Sequence, residues 1–327
     1  MKTKSSISIA LCLFLLASTF SAHAQRRRTP FEQYSTVGVG LGTASYAGDL
    51  APYRSPFNTL FKMMRWNINA NYTRHFTPHF AARLGFMYAR IAGDDEFYNR
   101  GGRPFGGNYV RNLHFRNDIK ELSAVGIYKF RGDGRSAVRR ASFTPYLFGG
   151  LAIFAHNPKA KVPEFYEDNN RWVALQPLGT EGQGQPGYAK PYSLVSYAIP
   201  VGLGFSWRIN AQWNVNVEGG FRFTGSDFLD DVSGFFPDPS ILKNDLARDM
   251  SNRTLEQISA RTRRDRTETV RRIVFPNDAS VDPFVSELDG WTTGDFRGNP
   301  TRKDAYIVSM ITVQYVLPTK IKCPPIK

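Results

Sequence analysis

The sequence predicts an all-β protein, an eight-stranded antiparallel transmembrane β-barrel with long extracellular loops. Three observations predict it: an apolar leader opens the chain, segments of two-residue alternation recur along it, and the connections between them alternate short and long. Alternation puts one set of side chains on each face of a strand, and in a membrane barrel the apolar set faces lipid. A negative mean hydropathy of −0.36 beside 14% aromatic residues suits such half-polar strands, with aromatic girdles at the two interfaces.

The leader has Lys2 and Lys4 at its start, an apolar core over residues 7–16, and Ala22-His23-Ala24 before Gln25. Residues 1–24 therefore read as a signal peptide, and the apolar core falls short of the roughly 20 residues a spanning helix needs. Cys12 lies inside that core and not at the cleavage point, so the chain lacks the lipoprotein pattern. Cleavage leaves Cys323 as the sole cysteine, which excludes an intramolecular disulfide. The formal charge of +14 becomes +12 once Lys2 and Lys4 are removed. An exported basic protein meets outer-membrane lipid, lipopolysaccharide, peptidoglycan or acidic partners before nucleic acid, and no nucleic-acid partner is expected.

The strands follow in order. The first covers residues 35–46, with Val37, Val39 and Leu41 against Thr36, Gly38, Gly40 and Gly42. The second, 65–74, sets Trp66, Ile68, Ala70 and Tyr72 against Asn67, Asn69 and Asn71. The third, 80–90, turns Ala82, Leu84, Phe86 and Tyr88 outward; the fourth, 118–130, turns Leu122, Ala124, Tyr128 and Phe130 outward. The fifth, 143–156, alternates least clearly. The sixth, 195–207, and the seventh, 213–223, alternate most cleanly, and the eighth, 304–317, has Ser309 as its one misfit. Each is long enough for a tilted crossing of about 9 to 11 residues.

Connections 75–79, 131–142 and 208–212 are short; 50–64, 91–117, 157–191 and 225–303 are long. Short turns facing the periplasm and long loops facing outside give both termini to the periplasm, with an even strand number. The expected organisation is a periplasmic segment at 25–34, the barrel at 35–317 with its long loop 225–303, and a periplasmic tail at 318–327. In the long loop, Leu242, Leu246 and Met250 recur at helical spacing after Pro239-Ser240, which reads as a helix start. The basic stretch 261–272 reads as a solvated helix face or disordered loop, with a lipopolysaccharide- or partner-binding strip as the alternative.

An eight-stranded barrel holds only its own side chains or one small ligand. Arg83, Glu121, Lys129, Glu218 and Arg222 all fall on inward faces, and charges withdrawn from water persist when paired. They read as a structural luminal charge network, with proton or ion passage as the alternative. The histidines beyond the leader are His75, His79, His114 and His156, and no HExxH, phosphate loop or nucleophile elbow occurs. Ser193 or Ser226 with His156 is the one hydrolase arrangement conceivable, and no catalytic, metal or cofactor site is expected. Asp227, Asp230 and Asp231 group oxygen ligands as Ca²⁺ requires, or cap a turn and pair with loop arginines; their spacing matches no EF-hand. Asp49 reads as a turn former. Cys323, before Pro324 and Pro325, is either without a role or a partner contact.

Five stretches occur in register with these strands: Tyr46-Ala47-Gly48-Asp49-Leu50, Leu175-Gln176-Pro177-Leu178-Gly179-Thr180-Glu181-Gly182-Gln183-Gly184, Asp227-Phe228-Leu229-Asp230-Asp231-Val232-Ser233, Arg297-Gly298-Asn299-Pro300 and Lys322-Cys323-Pro324. Together they resemble the PorG-like outer-membrane barrels associated with type IX secretion. The resemblance implies a non-enzymatic barrel of the cell outer membrane that anchors or aligns the periplasmic ring of PorK and PorN, with no small-molecule substrate. The second expectation, from loop size alone, is a surface-binding or envelope-stabilising barrel that works through its long loops.

Overall fold

A β-branched and aromatic face alternating with a small or polar one favours extended backbone, and here it closes on itself. The computed structural model describes residues 31–51, 61–98, 106–278, 280–285 and 288–318; the signal peptide, most of the 25–34 segment and the Cys323 tail lie outside them. The strands are β1 (Tyr34–Ala47), β2 (Arg65–His75), β3 (Phe80–Asp94), β4 (His114–Lys129), β5 (Phe143–Ala155), β6 (Lys159–Lys161), β7 (Trp172–Ala174), β8 (Val195–Arg208), β9 (Trp213–Thr224) and β10 (Ala305–Val316). Eight of them pair antiparallel in the order β3-β2-β1-β10-β9-β8-β5-β4, and a β3–β4 ladder closes the ring. Closure removes the sheet edge, the condition for a β structure in lipid. The small hairpin β6–β7 adds to the upper end of β4 through Arg116 and Lys159.

The faces fall as alternation dictates. Leu41, Leu84, Leu151 and Val313 point outward and exposed, while Asn67, Glu121, Glu218 and Thr312 are buried in the lumen. Gly40 makes room for that packing: a Cβ there would lie 2.5 Å from Ile311 O and 2.5 Å from Thr312 Oγ1. Strand β5 alternates poorly because its inward positions are also aromatic, with Tyr146, Phe148 and Phe154 buried.

Two differences from the sequence reading have one cause. Strands β3 and β4 run on to Asp94 and back to His114, beyond the expected 90 and 118, and Ile91, Ala92, Gly93 and Asp94 are buried in succession. Alternation ends there because both faces are covered. The cover is a dome built from the long connections, with α1 (Gly106–Arg111), α2 (Asp245–Ser251) and α3 (Thr267–Val274). Its core continues the upper lumen through Tyr46, Leu50, Ile91, Phe115, Leu229 and Val232.

The helix expected after Pro239-Ser240 starts later. Pro239–Ile241 is one 3₁₀ turn, and α2 begins after Asn244, whose side chain accepts from Ala247 N at 2.8 Å. Asparagine is among the best N-caps, whereas proline only tolerates a first turn. Met250 then packs on Ala160 and Leu175 of another connection. No helix among the described residues is long and apolar enough to cross a membrane.

Candidate functional site

The five inward charges form ion pairs at three heights in the lumen. At mid-height Arg83 forms a two-pronged ion pair with Glu218, which also accepts from the Tyr146 hydroxyl at 2.5 Å. The Arg83 guanidinium lies 5.3 Å from the Phe148 ring centre. Nearer the dome Arg222 Nε is 3.6 Å from Glu121, too far for a hydrogen bond, and Glu121 accepts from Tyr306 at 2.5 Å. At the short-turn end Lys129 pairs with Asp133, which accepts from Tyr34 at 2.6 Å, and Lys129 Nζ lies 2.9 Å from His75 Nδ1. A cavity of about 30 Å³ beside this last group has room for about one water.

Alternation alone marks Tyr146 and Tyr306 as inward, but nothing local pairs either with a carboxylate. Asp133 lies in the 131–142 turn and carries no such mark. Cys323 lies outside the described residues.

Four of the five stretches quoted above meet under the dome. Asp49 accepts from Asn299 N at 2.9 Å, and Asp231 accepts from Thr180 Oγ1 at 2.5 Å and from Tyr192 OH at 2.6 Å. Arg297 reaches Glu181 at 3.0 Å, Asp231 O at 2.6 Å and Ser251 O at 3.0 Å. Gly298 allows the approach, since a Cβ there would fall 2.4 Å from Asp49 Oδ2. Asp49 is thus more than a turn former: it ties the first connection to the last.

The Tyr46 hydroxyl lies 2.6 Å from both Asp230 Oδ2 and Asp304 Oδ1. One hydroxyl hydrogen serves one acceptor, so the other contact requires a proton on a carboxyl. Burial and mutual charge hold Asp230 well above the usual carboxylate range, and burial does the same for Asp304. Burial raises Asp231 to about 6 against the opposing pull of Arg297. The three carboxylates weighed as calcium ligands are therefore occupied: Asp227 accepts from Ser233 Oγ at 2.5 Å, Asp230 from Tyr46, Asp231 from Thr180 and Tyr192. No metal-binding cluster occurs among the described residues.

Part of the basic stretch 261–272 is a solvated helix face, with Glu268 and Arg272 exposed on α3, but Arg261, Arg263 and Arg266 turn inward. Arg266 is buried and donates to the carbonyls of Tyr109, Val110, Arg253, Thr254 and Glu256. Arg263 donates to Val162 O at 2.7 Å and Asn169 O at 2.5 Å, and Arg261 pairs with Asp94. Loop carbonyls lack a ladder, and guanidinium donors supply their partners. Burial lowers Arg266 to about 10. Arg140 does the same at the short-turn end, donating to the carbonyls of Ala137, Asn210 and Ala211.

His156 and the Ser193 hydroxyl do not form the hydrogen bond that a hydrolase arrangement needs. His156 Nε2 faces the carbonyl of Ser193 at 3.1 Å, while the Ser193 hydroxyl donates to Val195 O at 2.7 Å. Burial lowers His156 to about 4.

A closed ring of eight strands, apolar outside and polar within, capped by a folded dome, is an outer-membrane β-barrel. The chain belongs to the family described as Domain of unknown function (DUF6089), which matches residues 10–175. No curated protein matches it. Among solved structures it is similar to Ail, the attachment invasion locus protein of Yersinia pestis, in complex with the heparin analogue sucrose octasulfate. That pair has 8% identity over 88% of this chain and 100% of the other, with a TM-score of 0.36. Neisserial surface protein A gives 8% identity over 87% and 98%, TM-score 0.36. The outer membrane protein OprG from Pseudomonas aeruginosa gives 10% identity over 88% and 99%, TM-score 0.33. At these identities the likeness concerns architecture alone.

Proposed function

We propose that the chain is a non-enzymatic scaffold, a sealed barrel that holds its two rims in place for other envelope components. The observation that carries this is the filled lumen: three groups of paired charges stand one above another between the rims. Such pairs occupy the space in which a water-filled path would run and link the wall at three heights. In the finer reading the scaffold is a type IX secretion component that anchors or aligns the periplasmic PorK/PorN ring. Its support is the motif resemblance, together with a short-turn rim where Arg140 joins two turns and where β1 begins and β10 ends. The luminal charges Arg83, Glu121, Lys129, Glu218 and Arg222 are then structural, and the Cys323 tail is a partner contact. The test is co-purification of the ring with this barrel, with cargo secretion assayed in a deletion strain. Absence of both effects in a strain possessing the ring sinks the reading.

One observation favours the second reading, a surface-binding or envelope-stabilising barrel. The dome is folded, and it carries a groove of about 530 Å³ lined by Phe165, Leu255, Leu288 and Trp291 with Glu164 and Asp249. Replacing residues 239–290 by a short linker separates the two. If secretion persists while adhesion or envelope integrity falls, the dome is the working surface.

A further inference from the structure

One wall of the barrel carries a column of cations immediately above its lipid-facing band. On β3 and β4 the outward apolar band runs from Phe80 to Tyr88 and from Phe130 back to Leu122. Lys120 stands next, exposed and directly opposite Tyr88, which sets it at the level of the upper aromatic ring. One step higher Arg90 faces Asp118 in a two-pronged pair at 2.6 and 3.0 Å, and Arg90 also lies 5.7 Å from the Trp66 ring. Another step higher Arg116 stands opposite Lys159 of β6, with Lys161 two residues beyond.

Arg90 is the only one of these five cations with a carboxylate partner among the described residues. Lys161 Nζ reaches only the amide oxygen of Asn170, at 3.0 Å. The Arg116 guanidinium carbon lies 4.1 Å from the Trp172 ring centre, and its buried Nε has no hydrogen-bond partner among the described residues. The acids of the β6–β7 hairpin, Glu164, Glu167 and Asp168, lie in its tip. Strand β6 runs antiparallel to β4, so that tip points away from the band. On β8, two strands round the ring from β4, the upper end is apolar instead, with Val195 and Tyr197 exposed.

We propose that this column, Lys120, Arg116 and Lys159 with Arg90 and Lys161 beside them, binds the phosphorylated headgroup of an outer-leaflet lipid. The acyl chains of that lipid lie along the Leu84, Phe86 and Leu122 wall. Cations beside a bilayer surface attract anionic headgroups, and an arginine braced by an aromatic ring presents its fork without losing much freedom. Four residues along β4 separate Lys120 from Arg116, about 13 Å at the usual rise. That spread suits a headgroup with two phosphates better than a single phosphate. The proposal goes beyond the scaffold role and is read on the isolated barrel, so failure of ring binding leaves it untouched.

The test uses the full mature chain in phosphatidylcholine nanodiscs doped with diphosphorylated lipid A or with its dephosphorylated form. Retained lipid is counted by native mass spectrometry. Diphosphorylated lipid is expected to stay bound and the dephosphorylated form to wash away. The combined variant Arg116→Gln, Lys120→Gln and Lys159→Gln is expected to weaken retention about fivefold per cation, about a hundredfold in all. Lys120→Arg with Lys159→Arg, which keeps the charge, is expected to retain lipid as the native chain does. Equal retention of both lipids by the native barrel overturns the proposal, and that arm needs no variant to fold. Full displacement by millimolar inorganic phosphate would identify a general phosphate site and overturn the lipid assignment.

Discussion

The barrel and the dome solve the same problem, satisfying buried backbone polar groups, by opposite means. In the barrel every strand is paired on both sides, so the carbonyls have ladder partners and the luminal arginines serve chiefly to neutralise Glu218 and Glu121, with Arg222 also donating to Gly220 O at 3.3 Å. In the dome long stretches have no ladder, and buried arginines reach carbonyls far away in the chain. Arg111 bonds Arg297 O at 2.5 Å and Asp49 O at 3.1 Å, and Arg253 bonds Lys161 O at 2.8 Å. The difference teaches where the basic composition goes. Much of it is internal scaffolding, and the cations left unpaired stand out the more.

The largest way to test the barrel half is Arg83→Leu, which leaves the Glu218 carboxylate buried and uncompensated. It should destabilise the barrel by about 3–5 kcal/mol in denaturant titrations in detergent. Arg83→Leu with Glu218→Leu should recover most of that loss; no recovery would mean the pair is not the source.

For the dome the counterpart is Arg266→Ala, which strips partners from five carbonyls. A loss on the order of 3 kcal/mol is expected, confined to the dome. Limited proteolysis should cut within 225–303 while the heat-modifiable gel shift of the barrel persists. If both melt together, the two regions are one cooperative unit and the contrast fails.

A subtler probe is Asp304→Asn, which can still accept from Leu229 N and donate to the Tyr46 hydroxyl oxygen. A carboxyl whose folded pKa is raised above its ordinary 3.8 favours the fold when protonated, so that stability is lost as pH rises through the raised value. Hydrogen exchange of the native dome should therefore quicken from pH 5 to pH 7.5 more than that of the variant. His156, lowered to about 4, acts the other way but is present in both proteins, so the difference profile reports the Asp230–Asp304 pair. Identical profiles would refute the shared proton. The smallest effect expected is from Asn244→Ala, about 1 kcal/mol from loss of the α2 cap, seen as faster exchange in Asp245–Ser251 alone.

The barrel was legible to within a few residues because side-chain parity is local: Val37, Val39 and Leu41 declare their face with no reference to any other strand. Strand β5 was the faintest, since Tyr146, Phe148 and Phe154 make its inner face as aromatic as its outer one. The inward positions of Arg83, Glu121, Lys129, Glu218 and Arg222 were legible for the same reason, but their partners were not. Arg83 and Glu218 are brought together only by the curvature of the closed ring, across strands that do not pair with one another. In the dome legibility fails further. Arg266 sits in a run of arginines and reads like any solvated cation, and nothing local distinguishes it from Arg264 or Arg272.

The sequence by itself determined the class, the strand count and which side chains meet lipid, because a two-residue period needs only the pleat of a single strand. Tertiary structure decided the rest. The grouping of the luminal charges, the proton shared beside Tyr46, the knot of Asp49, Thr180, Asp231 and Arg297, and the cation column on one wall all join residues far apart in the chain. Such contacts depend on closure and register, which no local pattern encodes.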